Sequence, residues 1–368
     1  MAAETHFTSQ TAQSSGPGSS TQSSLRFLQQ AWYPAGFTSE LEAGLVERII
    51  LNQHVLMYRD QDGQAVAIGN RCPHRSAPLS MGKLSDGVVT CGYHGLGFDR
   101  TGRCVRNPHG GGVSTQALSV SSYRLCERGG LLWIWMGMQD QADETQLPDY
   151  DCLDGSRFFI GTGYLHGQAN YELMTDNILD LSHIEFLHPG LGTEAVSRAK
   201  VEVEFQGGRL VTTRRMRDEV LPSNLTHVYQ TGTQRVNRTM EVSWQAPANM
   251  LLRVIIEPLE AGAVERGSQT LHLFTPETAY TTHYFYVGAM QKTTATQDLC
   301  ETFLKALGRA FVNEDKAMID AQQRMLGVVD IMDTKPALLP IDKAAVLARR
   351  ELRRLIAEDL KNMAGHGA

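Results

Sequence analysis

No run of eighteen apolar residues occurs in this 368-residue chain, which excludes an ordinary membrane-spanning helix. No G-x-G-x-x-G fingerprint sits in a strand–turn–helix context, so a bound dinucleotide is not expected. The tract His109-Gly-Gly-Gly is too isolated to cradle a phosphate. Positive charge is not in excess: Lys and Arg number 34 against 40 Asp and Glu, a net charge of -6. That balance gives no electrostatic reason to expect nucleic acid or an anionic membrane as partner. The first residues lack a signal peptide's basic region and apolar core. Cysteine is scarce, six in the whole chain, too few for a disulfide framework. These features together predict a cytoplasmic protein. Residues 1–24 contain no Lys or Arg and are dominated by Ser, Thr, Gln, Gly and Ala, which predicts a disordered tail.

What is present is concentrated in two short stretches. Cys72-Pro-His74 is followed after sixteen residues by Cys91-Gly-Tyr-His94. Two thiolates and two imidazoles in paired pieces suit a [2Fe–2S] cluster in which each type holds one iron. Imidazole in place of thiolate raises the potential, so such a centre relays single electrons. A structural zinc site uses the same residue types and stays open as the alternative. Arg75 and Tyr93 either shield the cluster or simply pack the loops.

The second stretch is Asn177-Ile-Leu-Asp180-Leu-Ser-His183-Ile-Glu-Phe-Leu-His188. Two His and a carboxylate on one iron form the facial triad of non-haem Fe(II) oxygenases, with positions left for O₂. Residues 171–187 have helical propensity and no Pro or Gly, and Pro189-Gly190 follows at once. Asp180 and His183 share a helix face. His183 and His188 are five apart, about 140° on a straight helix, so both reach one metal only if the helix bulges or ends between them.

The two stretches together resemble the oxygenase subunit of Rieske non-haem iron aromatic oxygenases, in the branch of vanillate and dicamba O-demethylases and toluenesulfonate methyl-monooxygenases. The resemblance runs from about Leu25 to the C-terminal helix. It implies Cys72, His74, Cys91 and His94 on the cluster, and His183 and His188 on a mononuclear iron. It implies Asp315 as the third ligand, with Glu314 and Asp320 as competitors. It also implies that Asp180 bridges the two centres of neighbouring subunits, bonding His94 across an interface and His183 in its own chain. A ring-shaped homo-oligomer, a trimer, follows from that. Asn177 lies one turn before Asp180, either near the iron or as a helix-packing amide. His272, before Leu-Phe-Thr-Pro, matches a place that faces substrate in the demethylases. Ala306 stands where a related demethylase has a large aromatic, which implies a roomier pocket.

The pattern along the chain predicts an α+β protein in two parts. Residues 25–148 read as a small antiparallel β Rieske domain with the ligand pairs on adjacent loops. Residues 149–365 read as a catalytic domain, a curved antiparallel sheet gripping helices at 299–325 and 344–360. The helix-grip form is what the resemblance implies. Arg349, Arg350, Arg353 and Arg354 read as the solvated face of an amphipathic helix, and Arg214, Arg215 and Arg217 as exposed strand residues. The four remaining cysteines read as ordinary thiols. The expected activity is that of a terminal oxygenase component, hydroxylating or O/N-demethylating a small aromatic compound with O₂. Because no dinucleotide site is present, electrons are expected from a separate NAD(P)H reductase or ferredoxin. A ring-hydroxylating dioxygenase on the same centres is the first rival. An electron carrier with a ligand-binding domain is the second.

Overall fold

The computed structural model describes residues 27–110 and 117–366, so the tail expected at 1–24 lies outside the described residues. The N-terminal part contains eleven short strands among the described residues: β1 (Trp32–Phe37), β2 (Val46–Ile50), β3 (Gln53–Arg59), β4 (Ala65–Gly69), β5 (Lys83–Ser85), β6 (Val88–Thr90), β7 (Gly97–Phe98), β8 (Cys104–Arg106), β9 (Ser122–Tyr123), β10 (Leu125–Arg128) and β11 (Leu131–Trp135). They form three antiparallel sheets, ordered β1-β11-β10, β2-β3-β4-β9 and β5-β6-β7-β8. The expected hairpin at Asp62-Gly63 joins β3 to β4, with Arg59 opposite Ala65. Asp60 secures it by accepting the Asp62 and Gln64 amides. Strand β11 is buried at every position, as its unbroken run of Leu, Trp and Ile requires.

The C-terminal part is built on seven antiparallel strands: β12 (Phe158–Gly167), β13 (Val201–Gln206), β14 (Arg209–Glu219), β15 (Val236–Gln245), β16 (Asn249–Pro258), β17 (Arg266–Pro276) and β18 (Thr282–Gln291). Their order is β12-β18-β17-β16-β15-β14-β13. Gly207 and Gly208 turn β13 into β14, both at positive φ (59° and 76°), where a side chain would be strained. Seven helices lie among these strands in the described residues: α1 (Tyr171–Leu179), α2 (Ile184–Leu187), α3 (Glu194–Arg198), α4 (Ser223–Val228), α5 (Gln297–Arg309), α6 (Lys316–Leu326) and α7 (Lys343–His366).

Two glycines let α5 approach the sheet. Gly161 of β12 faces Gly288 of β18 across the ladder, and a Cβ on either would overlap Leu304 of α5. That close approach fixes the segment that follows α5. The helix expected at 299–325 is in fact interrupted: Ala310–Asp315 forms a π turn between α5 and α6. Such turns shift side-chain direction locally and recur at functional sites.

The two parts share packing. Thr275 Oγ1 donates to Pro34 O at 2.6 Å, the Leu51 amide to Pro276 O at 2.9 Å, and His283 Nε2 meets Ile49 O at 2.8 Å. Trp133 and Trp135 of β11 belong to one apolar cluster with Leu271 and Phe285 of the large sheet. From α7, Asp359 accepts the amides of Gln29 and Gln30, so the last helix also clasps the first described residues.

Arg349 departs from its expected solvated face. It is buried and bonds Glu172 at 2.7 Å and Asp176 at 2.7 Å on α1. Arg214 departs likewise and is buried within β14. Both departures have one reason: strand and helix periodicity gives the face, but not which neighbouring element carries a countercharge.

Candidate metal centres and cavity

The two loops with Cys and His are built alike. The amides of Cys72 and Cys91 donate to the carbonyls five residues on, Ala77 and Leu96. The amides of Ser76 and Gly95, four residues on, return to the cysteine carbonyls. Ser76 and Gly95 both take positive φ, 56° and 74°. This tight turn points each thiol inward and each imidazole outward. Cys72 and Cys91 are buried side by side, while His74 and His94 stack edge to face at the surface with centroids 4.5 Å apart. Burial pushes the Cys72 thiol up from its usual range, against the His74 amide, which stabilises the thiolate. His109, which carried no motif, bonds the His94 carbonyl through Nε2 at 2.8 Å. Tyr93 is exposed with its ring 4.0 Å from that of His94.

These four donors do not converge on a point. Among the described residues, the group whose donor atoms lie within 4.8 Å of one another is His183, His188 and Asp315. The cysteine–histidine donors pair off instead, thiol with thiol and imidazole with imidazole. A single tetrahedral zinc ion needs all four at bonding distance. A two-iron cluster needs two pairs.

The His–His–Asp group is assembled by a broken helix. The Asn170 side chain caps α1, which ends at Leu179. Asp180 then leaves helical geometry (φ -107°, ψ 96°) and caps a 3-10 turn, Leu181–His183, by accepting the Ser182 amide. The break thus precedes His183, whereas the sequence placed it between the two histidines. His188 ends α2 with φ -120°. The rings of His183 and His188 lie 5.2 Å apart, nearly perpendicular.

Hydrogen bonds set which nitrogen of each ring faces inward. His183 Nδ1 bonds the Asp180 carbonyl at 2.5 Å, leaving Nε2 toward Asp315 Oδ1 at 3.5 Å. His188 Nδ1 bonds Glu314 at 2.5 Å, leaving Nε2 3.1 Å from the same oxygen. Asn177 donates to Asp315 Oδ1 at 3.0 Å. Burial holds the His183 pKa below its usual value. Burial acts the same way on His188, but Asp315 and Glu314 outweigh it and raise the pKa. The set offers two imidazole Nε2 atoms and one carboxylate, the donor chemistry of an Fe(II) facial site. Asp320, a competitor in sequence, is occupied elsewhere with Lys316 and the Gln168 amide.

Glu314 was a competitor ligand in sequence. In the structure its carboxylate bonds His188 Nδ1, on the side of the ring away from Asp315, the kind of contact that fixes imidazole direction and basicity. A Glu314→Ala variant is expected to weaken iron retention about 10–100-fold, measured by chelator competition. Unchanged retention would make Glu314 a bystander.

The Asp180 carboxylate meets neither histidine within the chain. Its Oδ1 accepts from Ser182 and from Arg214 at 2.8 Å, and only its carbonyl reaches His183. The carboxylate is about a quarter exposed.

A cavity of about 90 Å³ adjoins the cluster and touches His183, His188 and Asp315. His272 of β17 lines it and is wholly buried. Its Nδ1 meets Tyr284 Oη at 2.7 Å, and its Nε2 has no partner. Burial pushes its pKa down to about 3, so the ring is neutral at physiological pH. The aromatic walls come from Tyr229, Phe303 and Phe311; Ala306 is not among the lining residues, so its small size does not enlarge this cavity. Larger clefts of about 410 and 520 Å³ run along α7, away from the cluster.

Residues 31–120 match the Rieske [2Fe-2S] domain family and residues 167–358 the vanillate O-demethylase oxygenase C-terminal domain family. The oxygenase component of dicamba O-demethylase from Stenotrophomonas maltophilia is 33% identical over 90% of this chain and 98% of its own length. The iron-sulfur subunit of the toluene-4-sulfonate monooxygenase system from Comamonas testosteroni is 35% identical over 82% of this chain and 90% of its own. The crystal structure of dicamba monooxygenase bound to dicamba superposes with a TM-score of 0.83 at 31% identity, covering 91% of this chain and 99% of that one.

Proposed function

Because the chain belongs to the Rieske non-haem iron oxygenase components that carry the vanillate O-demethylase C-terminal domain, we propose that it demethylates a small methoxy- or N-methyl-aromatic compound. The chain is an oxidoreductase, the oxygenase component of a multicomponent system whose electrons arrive from a reductase or ferredoxin. Cys72, His74, Cys91 and His94 would hold the Rieske cluster; His183, His188 and Asp315 would hold the mononuclear iron. When bound, these groups supply single-electron relay and activation of O₂. The observation that carries the reading is the convergence of His183, His188 and Asp315 beside an apolar cavity, in the chain that also bears the Rieske loops.

The protein's own residues do the rest. Asn177 and Glu314 hold Asp315 and His188 in place from outside the donor set. His272 offers one neutral ring nitrogen to orient a substrate heteroatom. The apolar walls would keep water away and hold one substrate carbon beside His183, His188 and Asp315. One oxygen atom enters the methyl C–H bond and the other leaves as water, with two electrons and two protons consumed. The hydroxymethyl ether or amine so formed splits into formaldehyde and the free phenol or amine.

The same reading assigns the chain to a homo-oligomer, a trimer, in which the Asp180 carboxylate of one copy bonds His94 of the next. Its support is that Arg214 and Ser182 fix Oδ1 of a partly exposed carboxylate, while His94 lies toward the surface. The domain spans 25–148 and 149–365 belong to this proposal too. So does a cytoplasmic location, supported by six cysteines none of which is paired in a disulfide. No described helix is long and apolar enough to cross a membrane.

Isotopic O₂ tests the reaction. Supplied with a reductase and a panel of methoxylated aromatics, the holoenzyme is expected to release formaldehyde and incorporate one labelled atom per turnover. A cis-diol product would replace demethylation by ring dioxygenation.

A further inference from the structure

The charge of the substrate can be read from the cavity walls, given the site assignment above. The lining beside the iron donors is mostly apolar, with Ile184, Leu252, Phe303 and Leu307 among its walls. The charged side chains that reach it can be accounted for in turn. Arg238 is the one guanidinium in the lining, and each of its three nitrogens already donates a hydrogen bond. Its Nε and Nη2 donate to Glu219 at 3.0 and 2.6 Å, and its Nη1 donates to Leu191 O at 3.1 Å. Both partners of that ion pair are buried, so the pair presents no net charge. Tyr229 and Ser268 bond each other at 2.8 Å. No Lys lines the cavity.

The histidines supply no positive charge either. His272 is neutral because burial holds its pKa at about 3. His183 and His188 must be neutral at Nε2 to bind a metal. A divalent iron there would be balanced by two carboxylates, Asp315 as ligand and Glu314 behind His188. Two uncharged polar groups remain, the Thr270 hydroxyl and His272 Nε2, the latter buried and without a partner. Neither calls for a charge, and His272 Nε2 calls for a hydrogen bond.

Size narrows the occupant further. A cavity of about 90 Å³ is smaller than the ~150 Å³ apolar cavity that admits benzene. A single ring with small substituents therefore needs some movement of the walls to enter, and a fused bicyclic needs more.

We propose that this site takes an uncharged, single-ring aromatic substrate, with one hydrogen-bonding heteroatom directed at His272 and no carboxylate or sulfonate inside the cavity. An anion here would lose its hydration and meet no free countercharge, a burial that is strongly unfavourable.

Matched ligand pairs test this on the iron-loaded holoenzyme. Calorimetry is run with 4-methylanisole against 4-methoxybenzoate, and with 1,3-dimethoxybenzene against 3-methoxybenzoate. The neutral member of each pair is expected to bind at least about 100-fold more tightly. Equal or tighter binding of the carboxylates overturns the proposal, as does a failure of every neutral compound to bind. A Glu219→Gln variant, shown by circular dichroism to be folded, frees the Arg238 guanidinium and is expected to gain at least about tenfold in carboxylate affinity. No gain in a folded variant also overturns it. If that variant does not fold, the wild-type ratio decides. Oxygen uptake with the reductase, measured in parallel, separates the two levels. Turnover of anionic aromatics alone would sink the substrate class and leave the oxygenase reading intact. No aromatic-dependent uptake at all would sink the oxygenase reading itself.

Discussion

Replacing His183 by alanine is expected to abolish product formation while leaving the visible spectrum of the Rieske cluster unchanged. The expectation follows from the separateness of the two donor sets. His183 brings its Nε2 to 3.5 Å from Asp315 and is not part of the Cys72–His74–Cys91–His94 loops. Removing it leaves His188 and Asp315, too few donors to retain the metal. Losing an outer partner typically costs 10–100-fold, so loss of a ligand should exceed about 100-fold in turnover. Iron content should fall by one atom per chain, with the cluster irons retained. Wild-type turnover in the variant would end the assignment of the iron site. Loss of the cluster spectrum together with activity would instead show that the substitution unfolds the protein.

The second large effect concerns stability. An Arg349→Met substitution is expected to destabilise the fold by about 3–5 kcal/mol, because it leaves two largely buried carboxylates without their cation. Arg349 of α7 donates to Asp176 through Nε and Nη2 and to Glu172 through Nη1. Both acids lie on α1, whose end positions Asn177 and Asp180, so turnover should fall as well.

The pH dependence has a definite sign. Burial raises the pKa of Glu172 and of Asp176 in the folded protein even with Arg349 present. Without the cation their folded pKa values rise further above the unfolded ones. The folded state then binds more protons than the unfolded state, so stability falls as pH rises through the folded pKa values. The denaturation midpoint of the variant should therefore recover as pH is lowered from neutrality toward the ordinary carboxylate range. Replacing Glu172 by Gln and Asp176 by Asn as well should restore much of the loss. A loss under about 1 kcal/mol in the single variant would place the triad with ordinary surface ion pairs.

Cluster and iron motifs were readable because their chemistry is local. The loops at Cys72 and Cys91 carry their own turn geometry, and the spacing C-x-H and C-x-x-H places thiol and imidazole on opposite sides of each. The strands were readable too, since alternation along β15 follows directly from one face meeting the core. The helix carrying His183 was only half legible. Its sequence has no Pro or Gly, yet it breaks at Asp180, because that side chain caps the following turn and Arg214 holds it there. Asp before Leu-Ser could have been taken as a cap signal. The π turn at Ala310–Asp315 carried no sequence signal at all.

By itself the sequence determined which atoms are available to bind metal and which segments become strands, since both depend on residue type and near-neighbour spacing. Tertiary structure alone decided that Glu314 bonds the outer nitrogen of His188, that Arg349 and Arg214 are buried with carboxylates, and that Arg238 is neutralised at the cavity wall. These outcomes turn on which charges from distant parts of the chain are brought within hydrogen-bond reach once water is excluded. No periodicity along one segment contains that information.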